Sequence, residues 1–547
     1  MNKSLLILFT FLLSAGYAVA QNKVTGIVKR SDGAPVPRAT VAIRGTSKAV
    51  SADDNGAFTI ETTLEPPFYI QVSSIGYKPQ DFQILAIQTT PLELTLVESG
   101  LLDEIVVTSR RRSEVLQEVP IPISVVGGSQ IDQAGAFNVN RVKELIPSVQ
   151  LYTSNPRNTG INIRGIGSPF GLTNDGLDPG VGFYVDGVYY ARPAAATLDF
   201  IDIERIEVLR GPQGTLFGKN TSSGAINITT RKPSFTPEAS FETSFGKYGY
   251  IQAKASISGP LSKQFAARVS FSGTQRNGLV DNVATGRATN DINNLGGRAQ
   301  LLYRPSDRLS ILLAGDVSDQ KPDGYAQVVA GVVKTNRAAY RQFDAIISDP
   351  IFNRDGKPYT LPSLNPFDRK IDHDTPWRSG NQLGGASLNA DIKLGPGTLT
   401  STTAYRYWNW DPSNDRDFTG LPVLAKSQNP AKHKNWSQEV RYAGQLSEKL
   451  SGVIGLYYID QEVKITGTEE SGSAQARFAK SSTGANANTP GVSNDDLWAT
   501  PGLLEGYGIY TNASIKSQSA AAFASVDWEF AKGLHILPGV RVNYDNK

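Results

Sequence analysis

Cysteine is absent from the 547 residues, and histidine occurs only three times. Without cysteine the chain forms neither disulfides nor thiolate metal sites, and three histidines leave few of the usual zinc ligands. After the signal-like amino terminus, no stretch approaches the ~20 consecutive apolar residues of a transmembrane helix. An excess of one charge is also missing, because 54 basic residues face 51 acidic ones. We therefore expect no metal or other cofactor and no nucleic-acid partner.

The amino terminus has the pattern of a secretory signal peptide. Lys3 precedes an apolar run from Leu5 to Leu13, and Ala18-Val19-Ala20 forms an A-x-A cleavage site before Gln21. Because Gln21 stands where a lipobox cysteine would stand, we expect no lipid anchor of that kind. The pattern predicts a signal peptide over residues 1–20 and export from the cytoplasm.

Short alternating runs separated by turn residues follow the signal peptide. They predict a small all-β sandwich, which we place at residues 21–98. The phrases GIVKRSDGAPVPRATVAIRGT, DDNGAFTI and SSIGYKPQ resemble the carboxypeptidase-regulatory-like domain. No cluster of histidine and glutamate accompanies them, so the resemblance implies no peptidase. We expect the chain not to be an enzyme.

A glycine-rich stretch at 210–230, RGPQGTLFGKNTSSGAINITT, looks like a phosphate-binding loop. The Walker A spacing fails, because Gln213 stands in place of the first glycine and Asn220 follows Lys219. The flanking phrases IERIEVLR and GAINITT alternate apolar and polar residues, as strands do. We interpret the stretch as a turn between two strands.

The neighbours of that turn carry a specific resemblance. IPISV, ELIPSVQ, IRG, FYVDGV, IERIEVLRGPQGTLFG and GAINITTRKP follow one another between Val119 and Pro233. As a set they resemble the plug domain of TonB-dependent outer-membrane receptors, which we place at 113–233. The resemblance implies that the glycine-rich turn packs closely where a Cβ would clash.

A short β-branched segment lies ahead of the plug and consists of Glu104, Ile105, Val106, Val107 and Thr108. Alone, it is either the last sandwich strand with a solvated linker or a strand that a partner recruits by β-addition. Beside a plug it resembles the TonB box, within a box and linker at 99–112. The resemblance implies TonB of the inner-membrane energising complex as a partner.

Strand-like periodicity continues from Phe235 to the end of the chain. About eleven runs of about ten residues alternate apolar and polar side chains, the length at which a tilted strand crosses a bilayer. Examples are YIQAKASIS, QFAARVSFSG, RLSILLAGDV, LTSTTAYRYW, VIGLYYIDQEV and AAFASVDWEF. Tight turns such as GPLSK and QLSEKL alternate with long polar stretches at 318–381, 411–434 and 466–517. Short turns on one side and long polar loops on the other are typical of a transmembrane barrel in outer-membrane lipid. Four aromatic residues are predicted to form a girdle at the membrane surface: Tyr405, Tyr407, Trp408 and Trp410.

The expected fold class is an all-β transmembrane barrel with an α+β plug domain and an N-terminal β-sandwich. The barrel part is placed at 234–547. The resemblance implies roughly 22 strands in full, about twice the number of runs in this sequence. The closing phrase GVRVNYDNK lacks the terminal aromatic of the family's last strand. We therefore expect that the sequence is the N-terminal part of a longer receptor.

The resemblance also implies roles for individual residues. Ligand contacts are expected on polar plug loops that face outside, with loop polarity as the other explanation: Arg157, Asn158, Asn174, Asp175, Tyr189, Tyr190 and Arg192. Arg164 and Arg210 match positions whose guanidinium groups lock plug to barrel, and Glu439 in SQEVRY resembles the barrel carboxylate that they meet. A plain surface pairing is the alternative.

The implied function is active uptake of a scarce ligand into the periplasm through the outer membrane of a Gram-negative bacterium. A ferric siderophore is the first expectation, and a glycan or cobalamin is the alternative. Three histidines without a paired motif disfavour haem. A secreted β-rich adhesin is the alternative of another class. A passive porin would need neither a plug nor the segment at 104–108.

Overall fold

The computed structural model describes residues 22–547 except 31, 45, 47, 75–76, 78–79, 88–89, 97–105, 113, 137, 154, 156–158, 168–175, 193, 195–196, 198, 200, 376, 481 and 486–489. The predicted signal peptide therefore lies outside the described residues. The chain divides into two compact units. The first takes in residues up to Val106 together with Val115–Glu118, and the second takes in Val107–Glu114 and Val119–Lys547.

The first unit is the predicted small sandwich. Its strands are β1 (Asn22–Arg30), β2 (Thr40–Ile43), β3 (Ala49–Ser51), β4 (Ala57–Thr62), β5 (Phe68–Ser73), β6 (Gln80–Ile84) and β7 (Leu92–Leu96). They form two sheets, ordered β4-β1-β7 and β3-β2-β5-β6. Every second side chain of β5 is buried. This period of two lets the apolar faces of the strands form one core, with Val28, Val41, Ile70, Val72 and Leu96 fully buried.

Two short strands, β8 (Val106–Val107) and β9 (Glu114–Val115), and a 3₁₀ turn at Leu116–Glu118 precede the plug. The plug contains β10 (Ile123–Gly127), α1 (Gly128–Gln133), α2 (Val139–Val142), β11 (Val149–Thr153), β12 (Thr159–Ile163), β13 (Ile166–Gly167), β14 (Val181–Val185), β15 (Val188–Tyr189), β16 (Ile203–Arg210), α3 (Gly214–Phe217) and β17 (Gly224–Thr230). A five-stranded sheet ordered β10-β16-β17-β14-β15 is its centre, beside a three-stranded sheet ordered β11-β12-β13.

A sheet of thirteen strands follows, counted over the described residues. Its members and the short elements between them are β18 (Glu238–Gly246), a 3₁₀ turn (Lys247–Gly249), β19 (Tyr250–Pro260), β20 (Phe265–Arg276), β21 (Val280–Asn282), β22 (Arg287–Thr289), β23 (Ile292–Ser306), β24 (Leu309–Gln320), a 3₁₀ turn (Ala339–Arg341), α4 (Phe343–Ile347), 3₁₀ turns (Pro350–Phe352 and Pro366–Asp368), β25 (Lys370–Ile371), β26 (Arg378–Leu394), β27 (Gly397–Ser413), β28 (Leu424–Gln428), β29 (Ala431–Ser447), β30 (Leu450–Ser471), α5 (Gln475–Ala479), α6 (Asn494–Ala499), β31 (Gly508–Ala531), β32 (Leu534–Ile536) and β33 (Gly539–Asn546). The small strands β21, β22 and β25 form a separate sheet.

Neighbouring strands of this large sheet pair antiparallel in the order β18-β19-β20-β23-β24-β26-β27-β29-β30-β31. β32 and β33 both pair with β31, and β28 pairs with β30. The runs from which the strands were predicted lie in β19, β20, β24, β27, β30 and β31. An antiparallel order between sequence neighbours follows from tight turns, which return the chain beside the strand that it leaves.

The large sheet buries polar side chains and exposes apolar ones. On β20, Arg268, Ser270 and Ser272 are buried, whereas Val269 and Phe271 are 55% and 40% exposed. A water-soluble sheet would have the opposite arrangement. An apolar outer face and a polar inner face are the pattern of a strand sheet surrounded by lipid. Among the described residues, none of the helices has the length and apolar character that crossing a membrane requires.

Short turns and long connections alternate along the sheet, as predicted. Tight turns join β19 to β20, β23 to β24, β26 to β27, β29 to β30 and β31 to β32, and long connections span 321–377, 414–430 and 472–507. The last of these is shorter than the predicted 466–517. The difference arises because β30 and β31 continue pairing as far as Glu470 and Gly508, beyond the apolar run.

The four predicted girdle aromatics divide between the two faces of β27. Tyr405 is half exposed on the outer face, whereas Trp408 and Trp410 are buried on the inner face among apolar plug residues. The Trp408 ring nitrogen donates a hydrogen bond of 2.7 Å to Asn381 Oδ1. The prediction for these two tryptophans was wrong. Successive side chains of a strand alternate between its faces, so positions 408 and 410 lie on the inner face, opposite to that of Tyr405.

Candidate functional site

Thr108, the last residue of the segment that resembles a TonB box, is hydrogen-bonded to a buried carboxylate of the plug. Glu104 and Ile105 lie outside the described residues. Val106 is 46% exposed and Val107 is fully buried. The backbone N–H of Thr108 donates a hydrogen bond of 3.0 Å to Oε1 of Glu207.

Glu207 lies fully buried on β16. Besides Thr108, Arg205 donates a hydrogen bond of 2.9 Å to its Oε1, and Asn227 donates one of 3.2 Å to its Oε2. Asn227 also donates to Oγ1 of Thr108 at 3.2 Å. β16 stands between β10 and β17 in the plug sheet. The last residue of the box-like segment is therefore bound to an interior strand of the plug.

The arginines that follow the segment attach it to the barrel strands. Arg110 lies 3.1 Å from Glu114 and 3.4 Å from Asp527 of β31. Arg112 lies 3.1 Å from the same Asp527 and also donates a hydrogen bond to Ser451 of β30. A solvated linker was one of the two interpretations of this region from sequence. Because carboxylates of the barrel wall meet these arginines, residues 109–112 are largely buried instead.

Arg111 has the most deeply buried side chain of the three arginines. Its guanidinium group lies 4.5 Å from the ring centroid of Phe217 and 5.3 Å from that of Tyr184. Its nearest nitrogen is 3.5 Å from a carboxylate oxygen of Glu439, and Arg441 is 2.6 Å from the other oxygen. Glu439 is thus a barrel carboxylate that meets an arginine from the linker ahead of the plug, and its role in a lock between plug and barrel stays a prediction.

The arginine that Glu439 meets differs from the expected ones. Arg164 is exposed at a hairpin turn between β12 and β13, with a positive φ of 55°. Arg210 is half-buried at the end of β16, and its Nε has no hydrogen-bond partner among the described residues. Neither forms an ion pair with Glu439 in the described part of the chain. The turn between β12 and β13 directs Arg164 to the surface. Arg111, which the sequence did not single out, lies beside Glu439 instead.

A chain of alternating charges crosses from plug to barrel and back. Asp186, in the turn between β14 and β15, pairs with Arg298 of β23. Arg298 is 3.0 Å from Asp316 of β24, which in turn is 2.6 Å from Arg406 of β27. The guanidinium group of Arg406 lies 4.3 Å from the ring centroid of Tyr190. Each buried charge has an opposite charge beside it, which offsets the cost of removing it from water.

A second contact between plug and barrel centres on Asp202. Arg268 of β20 donates a hydrogen bond of 2.6 Å to its carboxylate, and Ser256 and Ser270 donate bonds of 2.7 and 2.8 Å. Burial by itself would raise the pKa of Asp202, but these hydrogen bonds favour the charged form and lower the pKa overall. Asp202 is therefore a charged anchor of the plug.

The three predicted ligand residues near the β14–β15 hairpin are interior residues. Tyr189 and Tyr190 are each 7% exposed and Arg192 is 4% exposed. Tyr189 accepts a hydrogen bond of 2.9 Å from Asn220, and burial raises its pKa to about 12. Arg192 donates to the backbone of Leu177 at 3.3 Å. The expected exposed loop is not found here, because the hairpin end packs between plug core and barrel wall. Their role as ligand contacts stays a prediction.

The other predicted ligand residues, Arg157, Asn158, Asn174 and Asp175, lie outside the described residues. The described neighbour of the first pair, Asn155, lines an open cleft with a volume of about 690 Å³. This volume lies within the range of small-molecule sites. The rest of the lining comes from the long connections at 321–377 and 414–430 and from the ends of β30 and β31.

The cleft is lined mainly by amide, hydroxyl and aromatic side chains. Its members include Asn155, Gln327, Asn414, Gln428 and Asn429 among the amides, and Tyr325, Trp377 and Phe418 among the aromatics. Its charged members are Asp415, Arg416 and Glu469. Arg416 pairs with Glu469 across the cleft wall. Such a surface can stack flat groups and exchange many neutral hydrogen bonds.

Asp415 is the buried charged group of the cleft, at 1% exposure. It accepts hydrogen bonds from the backbone N–H groups of Phe418 at 2.9 Å and Asp374 at 3.0 Å. Burial, followed by the charges of Asp417 and Asp374, raises the pKa of Asp415 to about 8. This carboxyl can therefore hold a proton near neutral pH.

The glycine-rich turn is part of the plug frame. Gly224 has a positive φ of 143°, and a Cβ there would lie 2.2 Å from the carbonyl oxygen of Leu209. The close packing expected of this stretch is therefore found at Gly224. A Cβ at Gly214 would meet open space.

Sequence reasoning missed Arg111, Glu207, Asp202 and the charge chain from Asp186 to Arg406. One signal was available for the barrel members. A charge in the middle of a membrane strand must face the polar interior, because the lipid side does not tolerate it. Arg268, Arg298 and Arg406 all occupy such positions, within β20, β23 and β27.

Two parts of the chain match family models. Residues 115–225 match the TonB-dependent Receptor Plug Domain, and residues 24–107 match the CarboxypepD_reg-like domain. The pesticin receptor of Yersinia pestis is 30% identical over 29% of this chain and 23% of that receptor. The TonB-dependent receptor SusC of Bacteroides thetaiotaomicron is 28% identical over 42% of this chain and 23% of SusC. The chain thus spans about a quarter of the length of these curated relatives.

A solved structure has the same fold. The ferric yersiniabactin uptake receptor of Yersinia pestis superposes with a TM-score of 0.58, at 18% identity, over 78% of this chain and 60% of that receptor. These relatives are receptors and not enzymes, which agrees with the prediction. The apolar outer face of the large sheet and the plug on its inner face, together with these likenesses, place the chain in the outer membrane with the fold of the TonB-dependent receptors.

Proposed function

We propose that this receptor takes up a scarce ligand in a step that TonB drives, and that the ligand is a ferric siderophore. The observation that carries the proposal is the hydrogen bond between Thr108 and Glu207. A pull on the box-like segment acts through this bond on β16, inside the plug sheet. Work done from the periplasmic side can therefore rearrange the plug.

Such work is needed because the ligand must bind tightly and still be released inward. A nanomolar complex corresponds to about 12 kcal/mol. The outer membrane has no ATP supply of its own, so the energy comes from the inner membrane. The exposed, β-branched Val106 suits a partner that adds a strand to the backbone of this segment.

A ferric ligand is supported by the structural likeness to a ferric yersiniabactin uptake receptor and by a cleft of small-ligand size. A glycan is the second candidate. The likeness to SusC and the CarboxypepD_reg-like domain favour it. Cobalamin is a further ligand to try.

The test compares Val106→Pro with Val106→Ala in cells that express the full-length receptor. Proline removes one backbone N–H, so it blocks strand addition, whereas alanine keeps it. We expect Val106→Pro to bind labelled ferric siderophore at the cell surface and to lose uptake, while Val106→Ala retains both. Normal uptake by Val106→Pro would contradict the TonB-driven step. Binding of a glycan or cobalamin without any ferric complex would contradict the iron assignment.

A further inference from the structure

The cleft described above carries little positive charge. Its described lining includes one carboxylate, Glu469, one guanidinium group, Arg416, and Asp415, whose raised pKa lets it hold a proton near neutral pH, so no net positive charge remains. Because Arg416 already pairs with Glu469, its charge is largely compensated. A strongly anionic ligand would meet no uncompensated cation on this described surface.

The cations next in sequence to the lining are also paired. Lys426 lies 2.8 Å from Glu470, and Lys464 lies 3.5 Å from Glu462. Arg378, which follows the lining residue Trp377, lies 2.9 Å from Asp411.

The neutral lining is rich, because five amide side chains and three aromatic rings border the cleft.

From this balance we infer that the cleft binds a ferric chelate without net negative charge, of the hydroxamate type, in preference to an anionic catecholate chelate. The inference rests on the proposed function and adds the chemical class of the ligand. Three hydroxamates, each with one negative charge, neutralise Fe³⁺, whereas three catecholates, each with two, leave a trianion. Amide donors and acceptors match the neutral chelate, whereas the trianion would lose its hydration without meeting an uncompensated cation on the described lining.

The experiment measures binding of a neutral ferric tris-hydroxamate and a ferric tris-catecholate to the full-length receptor in outer membranes. The parent is expected to bind the hydroxamate at least about tenfold more tightly, which corresponds to about 1.4 kcal/mol. Glu469→Gln leaves Arg416 without its partner, so the catecholate is expected to bind about tenfold better while the hydroxamate is unchanged. This gain should shrink as salt is added.

Glu448→Gln is the matched control. Glu448 is an exposed carboxylate in the tight turn between β29 and β30, at the opposite end of β30 from the lining residues. Its loss should therefore leave both affinities as in the parent. Heat-modifiable mobility on gels checks that each variant is folded.

Two outcomes test the charge preference, and a third tests the ferric assignment on which it rests. Catecholate binding that equals or exceeds hydroxamate binding in the parent would overturn the charge preference and leave ferric uptake standing. An equal gain from Glu448→Gln would also overturn it, because the cleft lining would then not be responsible. Binding of neither ferric chelate, with a glycan or cobalamin bound instead, would overturn the ferric assignment itself.

Discussion

The bond between Thr108 and Glu207 predicts how firmly the box-like segment is held. In Glu207→Gln the volume is kept, but one oxygen becomes an NH₂ group. The amide cannot accept hydrogen bonds on both sides, as the carboxylate does from Thr108 at 3.0 Å and Asn227 at 3.2 Å. A hydrogen bond to a charged group contributes about 1.5–3 kcal/mol, and a buried unsatisfied donor costs a similar amount. We therefore expect local opening of the segment to become about 3 kcal/mol easier.

A single cysteine can report this opening, because the native chain has none. Ser109 is 1% exposed, and its hydroxyl has no hydrogen-bond partner among the described residues. Ser109→Cys should therefore be tolerated and react with a maleimide only when the segment opens. Adding Glu207→Gln is expected to raise the labelling rate about a hundredfold.

Glu204→Gln serves as the control, since Glu204 is on the same strand and its side chain is 45% exposed. It should leave the labelling rate unchanged. The reasoning would be refuted if Glu207→Gln did not accelerate labelling, or if Glu204→Gln accelerated it equally.

Three further predictions concern the plug. Burial raises the pKa of Asp199 to about 7, above an unfolded value of about 3.9. The stability from its protonated form is therefore complete below about pH 4 and lost as pH rises through 7, on the order of 4 kcal/mol in all. Asp199→Asn should flatten this fall in the thermal midpoint between pH 5 and 8.5, and an unchanged pH profile would contradict it. Arg268→Gln removes the closest cationic partner of buried Asp202 and should cost about 3 kcal/mol, measured as a lower thermal midpoint; a midpoint equal to the parent's would argue against the anchor. Gly224→Ala should prevent assembly of a protease-resistant plug, because its Cβ would lie 2.2 Å from a carbonyl oxygen on β16, whereas Gly214→Ala should assemble normally.

Much of the fold could be predicted because it depends on local patterns. Alternation with a period of two identified β19, β20, β24, β27, β30 and β31, and turn residues identified the short connections. The exact ends of β30 and β31 could not be predicted, because pairing between two polar strand ends extends beyond the apolar run. The faces of Trp408 and Trp410 follow from the same alternation, once the strand register is known.

The candidate site could be predicted only in part. The position of Glu439 as a barrel carboxylate facing the plug side was found through resemblance, but its partner Arg111 was not. Sequence polarity predicted exposure for Tyr189, Tyr190 and Arg192, and the packing of the plug against the barrel wall buries them. Polarity describes a side chain alone, whereas burial depends on what covers it.

By itself, then, the sequence determined the strand sheet, the parity of its turns, the plug and the box-like segment. Each of these depends on residues close together in the chain, where backbone geometry translates spacing directly into structure. Only the tertiary structure decided which charges meet, because partners such as Arg110 and Asp527 lie 417 residues apart. It also decided the shape and charge of the cleft, which loops and strand ends form together when the plug is seated against the barrel wall.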